Sequence, residues 1–476
     1  MGGLGSILNS ARSAMQATQV AMQTTSQNIA NAGVEGYTVQ NVRVAAQVPL
    51  RTPYGNLGTG VVVQSVTQSR DALLDMQFRT ATGAAANQSR TSDTLGRIEA
   101  VLGEPSTTGL ANSIDAFWNS WSDLANDPTS LSARGVVRQR GSEVSGLLNN
   151  FARQLDGIDR DARTTLTSDV GRINELSKQI ADLAPAIVGA EAGGQTANDL
   201  RDTRNRLLDQ VATLIDTRVI DRPDGSVGVY LGGRMLVDGP SAHQLTINGG
   251  QPLSVSFAGE ADGLRDIGGS IGASITDINQ RIPAVMTDLD TLAGTLVRET
   301  NTVHAAGTVF TGSPAVASAA GNFFNQTALV TGAADPYQTA RGISLSASLS
   351  NIANIAAAGA GAAGPGNNGV AAQLAALRDK AVTFSTAAGG TIDGTIGGFY
   401  RYTVSSVALS LSQSSGQVEA QDALASQADT RRQSVSGVST DDELVNMIKQ
   451  QQAYAAAAKL IKVVDEMAQT LLDLGR

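Results

Sequence analysis

Two apolar stripes, one at each end of the chain, limit what this sequence can fold into more than anything between them. Across Ser436 to Arg476, the residues Ala453, Ala457, Leu460, Val464, Met467, Leu471 and Leu474 recur at alternating steps of four and three. That is the period of a helix that supercoils against a partner. Leu444, Ile448 and Tyr454 carry apolar character towards the start of the same stretch. Ser439 stands three residues before Asp442 and four before Glu443, the hydroxyl-then-acid order that satisfies free amides where a helix begins. At the other end Leu4, Leu8, Ala11, Met15, Thr18, Met22, Thr25 and Ile29 follow the same alternation, and no charge interrupts Ser13 to Val34. Polar Gln, Thr, Ser and Asn crowd that run, whereas a bilayer span takes about 20 mostly apolar residues. Matched seams therefore predict two terminal helices that pair, bringing the chain back to where it started.

The stretch between them reads as mainly helical with inserted β structure. Val39 to Val66 alternates loosely around Pro53, Gly55, Asn56, Gly58 and Gly60 and predicts a short β segment with its turn. Asp71 to Gly103 is helical, stopping at Gly103-Glu-Pro105. Three further apolar faces follow: Leu110 to Leu124, Val144 to Ile158, and Ile173 to Ile187. Breaks such as Asn126-Asp-Pro128 predict separate long helices in an elongated antiparallel bundle. Trp118 and Trp121 fall at helical spacing inside it, as core residues do. The period then changes to two at Val227, Val229 and Leu231, with Asp224-Gly225, Gly232-Gly233 and Asn248-Gly249 as turns. This predicts a small antiparallel β domain bulging from the helices. Ile271 to Leu296 is a further 4,3 seam with a kink expected at Pro283.

The expected organisation is a terminal coiled-coil domain of residues 1–35 with 436–476. A helical bundle takes 36–216 with 269–304 and 398–435, and the β domain takes 217–268. Residues 305–397 are an Ala/Gly-rich insertion, loosely structured, with a short helix over Val370 to Lys380.

Chemistry is sparse. The 476 residues contain no cysteine, two histidines and a net charge of −9, which leaves no disulfide or thiolate metal site. An acidic chain without a basic patch is a poor ligand for nucleic acid. Gly268-Gly-Ser-Ile-Gly272 fits the spelling of a nucleophile elbow, but polar Gly259 to Asp266 precedes it instead of a buried strand, and only His304 lies downstream as a base. Asp199, Asp202 and Arg204 read as a solvated ion-pair ladder or a lattice contact rather than a carboxylate site. No catalytic, cofactor or metal residue is assigned. No basic region precedes an apolar run with a cleavage site at the start, so export would need another route.

Ser26 to Tyr37, with Asn28, Ile29, Ala30, Asn31, Gly36 and Tyr37, resembles the signature near the start of the axial proteins of the bacterial flagellum. It departs at Val34-Glu35, where that family usually has a Thr-Pro turn. Asn198, Asp199, Leu200, Asp202 and Arg204 within Ala197 to Leu208, the Asn301 to Gly307 run, and Ser436 to Met467 follow the pattern of the hook-associated protein 1 family. The resemblance covers most of the chain. It implies a non-enzymatic structural subunit of the hook-filament junction, secreted by the flagellar export apparatus and polymerising through its terminal helices, with a role in motility. Implied partners are copies of itself in a ring, hook protein, a second hook-associated junction protein on the filament side, and a dedicated export chaperone on the C-terminal helix. Nucleic acid and membrane insertion are not expected. The assembly residues so marked are Leu4, Leu8, Met15, Met22, Ile29, Leu444, Ile448, Tyr454, Leu460, Val464, Met467, Leu471 and Leu474. Alternatives are flagellin or hook subunit and, from another class, a secreted adhesin or hydrolase using the β region.

Overall fold

The computed structural model describes residues 2–52, 55–265, 267–311, 316–325, 339–362, 364–387 and 389–474. Helix α1 (Gly2–Asn31) is followed by β1 (Gln40–Ala46), β2 (Leu50–Thr52), β3 (Gly55–Leu57) and β4 (Val61–Gln68). β1 and β4 pair antiparallel from Gln40 opposite Gln68 to Ala46 opposite Val61, with a bulge at Arg43/Val44, and β2 pairs β3 at the tip. The β segment expected over Val39 to Val66 is thus one long hairpin arm.

α2 (Ala72–Leu102) starts where the Asp71 carboxylate accepts from the amides of Leu73 and Leu74, and ends at Gly103 with φ +58°. α3 (Leu110–Asn126) carries both tryptophans. Next comes α4 (Leu131–Glu191), a single helix of 61 residues, about 90 Å long at the usual rise. The two seams expected on separate helices, Val144 to Ile158 and Ile173 to Ile187, lie on this one helix. No proline interrupts the residues between them, and ion pairing of Arg163 with Asp159 supports that stretch. Each seam closes a different core.

α5 (Asn198–Leu214) leads to a four-stranded antiparallel sheet in sequence order, β5 (Arg218–Asp221), β6 (Val227–Leu231), β7 (Arg234–Asp238) and β8 (Ser241–Ala242), then to the hairpin β9 (Leu245–Asn248) with β10 (Ser254–Phe257). Gly225, Gly232 and Gly233 take the positive φ that their turns demand; Gly249 does not. This β region does not bulge away from the helices. Val229, Leu236, Val237 and Val255 join Ile173, Leu176 and Ile180 of α4 and Leu208 and Val211 of α5 in one core.

The Ile271 to Leu296 seam is interrupted. α6 (Gly269–Thr276) passes through a π-helical turn at Asp277–Arg281 into α7 (Ile282–Ala305). Pro283 has no amide to continue the ladder, so the kink expected there is taken up as a wider turn just before it.

Beyond α7 come β11 (Thr308–Thr311), β12 (Val316–Ala319), α8 (Thr339–Gly342), α9 (Gly369–Ala376), β13 (Val382–Ser385) and β14 (Thr391–Gly394). Far from being loosely structured, the described part of the Ala/Gly-rich stretch supplies Phe323, Phe324, Ile355, Leu374 and Phe384 to a second core with Trp118, Trp121, Leu148, Leu292 and Tyr400. Small residues allow this: Ala356 and Ala357, fully buried, let backbone approach backbone. The rings meet edge on, Trp121 with Phe323 at 5.4 Å and Phe323 with Phe324 at 4.9 Å. α10 (Ile396–Ser436) returns along α2, and α11 (Thr440–Leu474) returns along α1. The fold is helical with small antiparallel sheets, its two cores strung along α4 and the terminal helix pair standing beyond them.

Candidate functional site

α1 and α11 run antiparallel. Asn28 donates to Glu443 Oε2 at 3.1 Å, and Gln450 donates to Thr25 Oγ1 at 3.3 Å. On α11 the buried and half-buried positions include Glu443, Met447, Gln450, Tyr454, Ala457, Ile461, Val464 and Ala468, at steps of four and three, with Asn446 and Ala458 beside them. The expected stripe shares only Ala457 and Val464 with this face. Leu460, Met467 and Leu471, with Leu444, Val445, Ile448 and Val463, remain 49–57% exposed on other sides of the helix. α11 therefore carries apolar residues on two faces. A heptad pattern alone does not say which of them meets the partner from the same chain. On α1, Leu4, Met15, Met22 and Ile29 are half-buried, Ala11 and Thr25 are buried, and Leu8 is 41% exposed. The side chain of Leu474 lies outside the described residues.

The helix pair meets the body at a polar joint built from the two motifs that sequence places 160 residues apart. Asn28, 1% exposed, donates to the Gln40 carbonyl at 2.9 Å while its own Oδ1 accepts from the Gln40 amide at 3.1 Å and from the Tyr37 hydroxyl at 2.8 Å. Both polar atoms of that amide group thus bind the Gln40 backbone, and each takes a second partner, Glu443 for the nitrogen and Tyr37 for the oxygen. Two residues earlier, the Thr38 amide and hydroxyl donate to the two oxygens of Asp202, which also accepts from Gln68 at 2.9 Å. Gln40 donates to Asp199, and Asn198 donates to Gln40 Oε1 and to the Val66 carbonyl. The start of the hairpin is held between α1 and α5. Val39 also donates to the Ser436 carbonyl at 2.9 Å, tying the exit of α10 to the same point.

Asp202 and Arg204 are buried, so the solvated-ladder reading fails for both; Asp199 alone of the three is exposed. Arg204 donates to the Gly225 carbonyl at 2.7 Å and pairs with Asp221 at 3.3 Å, which anchors α5 to the β sheet. Burial brings its guanidinium down to about 10, with Asp221 opposing. The Tyr37 hydroxyl is pushed up to about 12 by burial and by the charges of Asp199 and Asp202, so it remains a donor to Asn28. α1 stops at Asn31, whose side chain donates to the Gln27 carbonyl. Gly36 has φ +76°, and a Cβ there would lie 2.4 Å from Arg206. Ile29 and Leu200 are half-buried and Ala30 is exposed.

Around this joint lies a second tier of charge pairs. Arg70 pairs with Asp75 at 2.5 Å and Asp202 at 3.6 Å, and Asp209 bridges Arg79 and Arg432 at 2.7 Å each. Arg432 also covers the Phe78 ring at 3.6 Å. Sequence reasoning missed Thr38, Gln40, Arg70 and Glu443 as members of the joint. Glu443 was legible only as an acid at a helix start; that it is 5% exposed and faces Asn28 needed the return of the chain.

The elbow-like Gly268 to Gly272 does not assemble a nucleophile. Ser270 is buried in the first turn of α6. His304, fully buried, is engaged at both nitrogens, with Nδ1 on the Gly321 carbonyl at 2.6 Å and Nε2 accepting from the Ala356 amide at 3.0 Å. Burial pulls it down to about 4. Among the described residues no group of three His, Asp or Glu side chains is placed to hold a metal, and no helix is long and apolar enough to cross a membrane.

Residues 95–324 match the family model of the flagellar hook-associated protein FlgK helical domain. Residues 8–38 match that of flagella basal body rod protein, and 431–474 that of the flagellar basal body rod FlgEFG protein C-terminal region. Flagellar hook-associated protein 1 of Bacillus subtilis is 28% identical over 508 residues, covering 98% of this chain and 97% of the relative. The protein of the same name from Salmonella typhimurium is 28% identical over 323 residues, covering 64% of this chain and 57% of the relative. The flagellar hook junction protein FlgK of Burkholderia pseudomallei superposes with a TM-score of 0.64 at 16% identity, over 76% of this chain and 100% of that one, and so shares the fold.

Proposed function

As the chain belongs to the flagellar hook-associated protein 1 family, we propose that it is a structural subunit of the junction between hook and filament, secreted and built into the flagellum through its terminal helices. One observation carries the mechanism. α11 is covered by α1 on one face, while Val445, Ile448, Leu460, Val463, Met467 and Leu471 stay about half exposed away from it. Covering six half-exposed aliphatic side chains is worth on the order of 5 kcal/mol, taking about half of the full burial value for each. Only a neighbouring molecule supplies that cover, so the subunit is incomplete alone and completed by copies of itself in a ring.

The same bare face is an aggregation hazard inside the cell. A dedicated export chaperone that clamps α11 until secretion removes the hazard, and a terminal helix pair that opens readily suits passage through a narrow export channel. Hook protein on one side and a second junction protein on the other complete the set of partners. The match over 95–324 favours this reading over flagellin or hook subunit, whose resemblance rests on the helical ends.

The test is replacement of the cell's own copy by a chain lacking 440–476. The expected result is hooks without filaments, with the truncated chain no longer captured by the chaperone. Normal filaments from that strain would refute the assembly role of α11.

A further inference from the structure

Next to the polar joint lies a cavity of about 250 Å³ whose lining holds four arginines, Arg70, Arg79, Arg201 and Arg204, and two acids, Asp75 and Asp221. The periods of three elements bring these groups together. Arg201 and Arg204 stand three apart on α5, and Asp75 and Arg79 stand four apart on α2, so each pair shares one helix face. Thr217, Val219 and Asp221, at every second residue, line the cavity from one side of β5 and its approach.

The acids do not saturate the arginines. Both oxygens of Asp75 already accept from Arg70. Arg201 is paired with Glu191, and Arg79 with Asp209, which also serves Arg432. Arg204 has the weakest compensation: its side chain is 4% exposed, while Asp221, 3.3 Å away, is 62% exposed and screened by solvent. Burial pulls the Arg204 guanidinium down, and the charges of Arg201, Arg70 and Arg79 act the same way, against Asp221 alone.

Two donors are also left over. Arg204 gives Nη1 to the Gly225 carbonyl and Nη2 to Asp221. Its Nε and the Thr217 hydroxyl are buried, with no hydrogen-bond partner among the described residues. Both residues line this cavity. Buried donors as a rule have acceptors, and donors set among guanidiniums bind a negatively charged acceptor more strongly than a neutral one.

We infer that the cavity binds a small oxyanion of the phosphate or sulfate class, held by Arg204 and Thr217 and surrounded by Arg70, Arg79 and Arg201. A tetrahedral oxyanion offers acceptors in several directions, which suits donors converging from α2, α5 and the approach to β5. Bound there, it ties the start of α2 and α5 to the sheet. Gln68 and Arg70 line the cavity and also reach Asp202 of the joint, at 2.9 and 3.6 Å, so occupancy stiffens the joint too.

The test is calorimetric titration of the purified full chain with inorganic phosphate, and separately sulfate, against chloride at matched ionic strength. The expected result is saturable binding of one anion per chain. Thr217→Val should weaken it about tenfold, the value of one hydrogen bond to a charged group, and in chloride alone should be no less stable than wild type, because a methyl replaces an unpaired hydroxyl. Arg204→Lys should weaken binding further. Hydrogen exchange of the wild-type chain needs no variant: phosphate should slow the amides of Thr217 to Val219 and of Arg204 and Asn205, and leave those of α3 unchanged. Absence of saturable heat would overturn the proposal and leave water as the occupant. Saturable binding that Thr217→Val leaves intact, or protection confined to other segments, would overturn it in favour of a site elsewhere.

Discussion

Asn28→Ala is the sharpest perturbation of the joint. The substitution removes four hydrogen bonds at a residue 1% exposed: two with the Gln40 backbone, one from Tyr37 and one to Glu443. The Gln40 groups, the Tyr37 hydroxyl and a carboxylate that is 5% exposed all lose a partner. A buried polar group left unpaired costs about 1–3 kcal/mol, and a charged one more. Water entering the new space recovers part of this, so the net loss is roughly 3–4 kcal/mol. It should be local, because none of these side chains belongs to either apolar core. Hydrogen exchange read by mass spectrometry is the assay: amides around Val39 to Asn41 and in the first turns of α11 should exchange at least 100-fold faster, while those of α3 and α4 keep their protection. A cycle with Glu443→Gln isolates the pair, with a coupling of about 1–2 kcal/mol expected. Unchanged exchange at the joint, or a coupling below about 0.5 kcal/mol, would refute the reasoning.

Other consequences are as direct. His304 lies below its usual 6.5 when folded, so the unfolded chain takes up its proton first as the pH falls. That contribution is whole above pH 6.5 and is lost progressively down to about pH 4, amounting to roughly 3 kcal/mol; urea titrations across that window should show a steeper pH slope for wild type than for His304→Gln. Trp121→Ala, at 0% exposure among Phe117, Phe323 and His304, should cost about 3–5 kcal/mol, measured by urea denaturation; a loss under about 1 kcal/mol would contradict the packing. Gly36→Ala should destabilise the turn after α1 through its φ of +76° and its contact with Arg206, visible as reduced filament number at normal secretion. Ser270→Ala should leave motility unchanged; a swimming defect from it would reopen the question of that segment.

Periodicity made the helical elements legible because each had a polar side to define its apolar one. α3, with Leu110, Ile114, Phe117, Trp121 and Leu124 all buried, is the clear case. α4 was legible as seams but not as one helix, since a change of core and a change of helix leave the same gap between Ile158 and Ile173. The β turns at Asp224-Gly225 and Gly232-Gly233 announced themselves through backbone conformations that few residues other than glycine adopt. Residues 305–397 were the opposite case. Their buried alanines and Phe323, Phe324 and Phe384 have no period, because they fill gaps set by other elements. The joint was half legible: both motifs stood out as strings, but that Asn28 and Asp202 clamp alternate residues, Gln40 and Thr38, of one strand entry depends on two returns of the chain. α11 was legible as a helix with one apolar stripe, but that stripe shares only Ala457 and Val464 with the face that α1 covers, because periodicity alone does not say which apolar side meets which partner.

The account turns on the outer face of α11 being bare in the lone chain and covered in the flagellum. Met467, 50% exposed in a chain that otherwise offers no thiol, allows this to be measured directly with Met467→Cys. Maleimide should label the purified monomer at a rate near that of a free thiol and label intact flagella at least 100-fold more slowly. Equal rates in the two states would contradict the account.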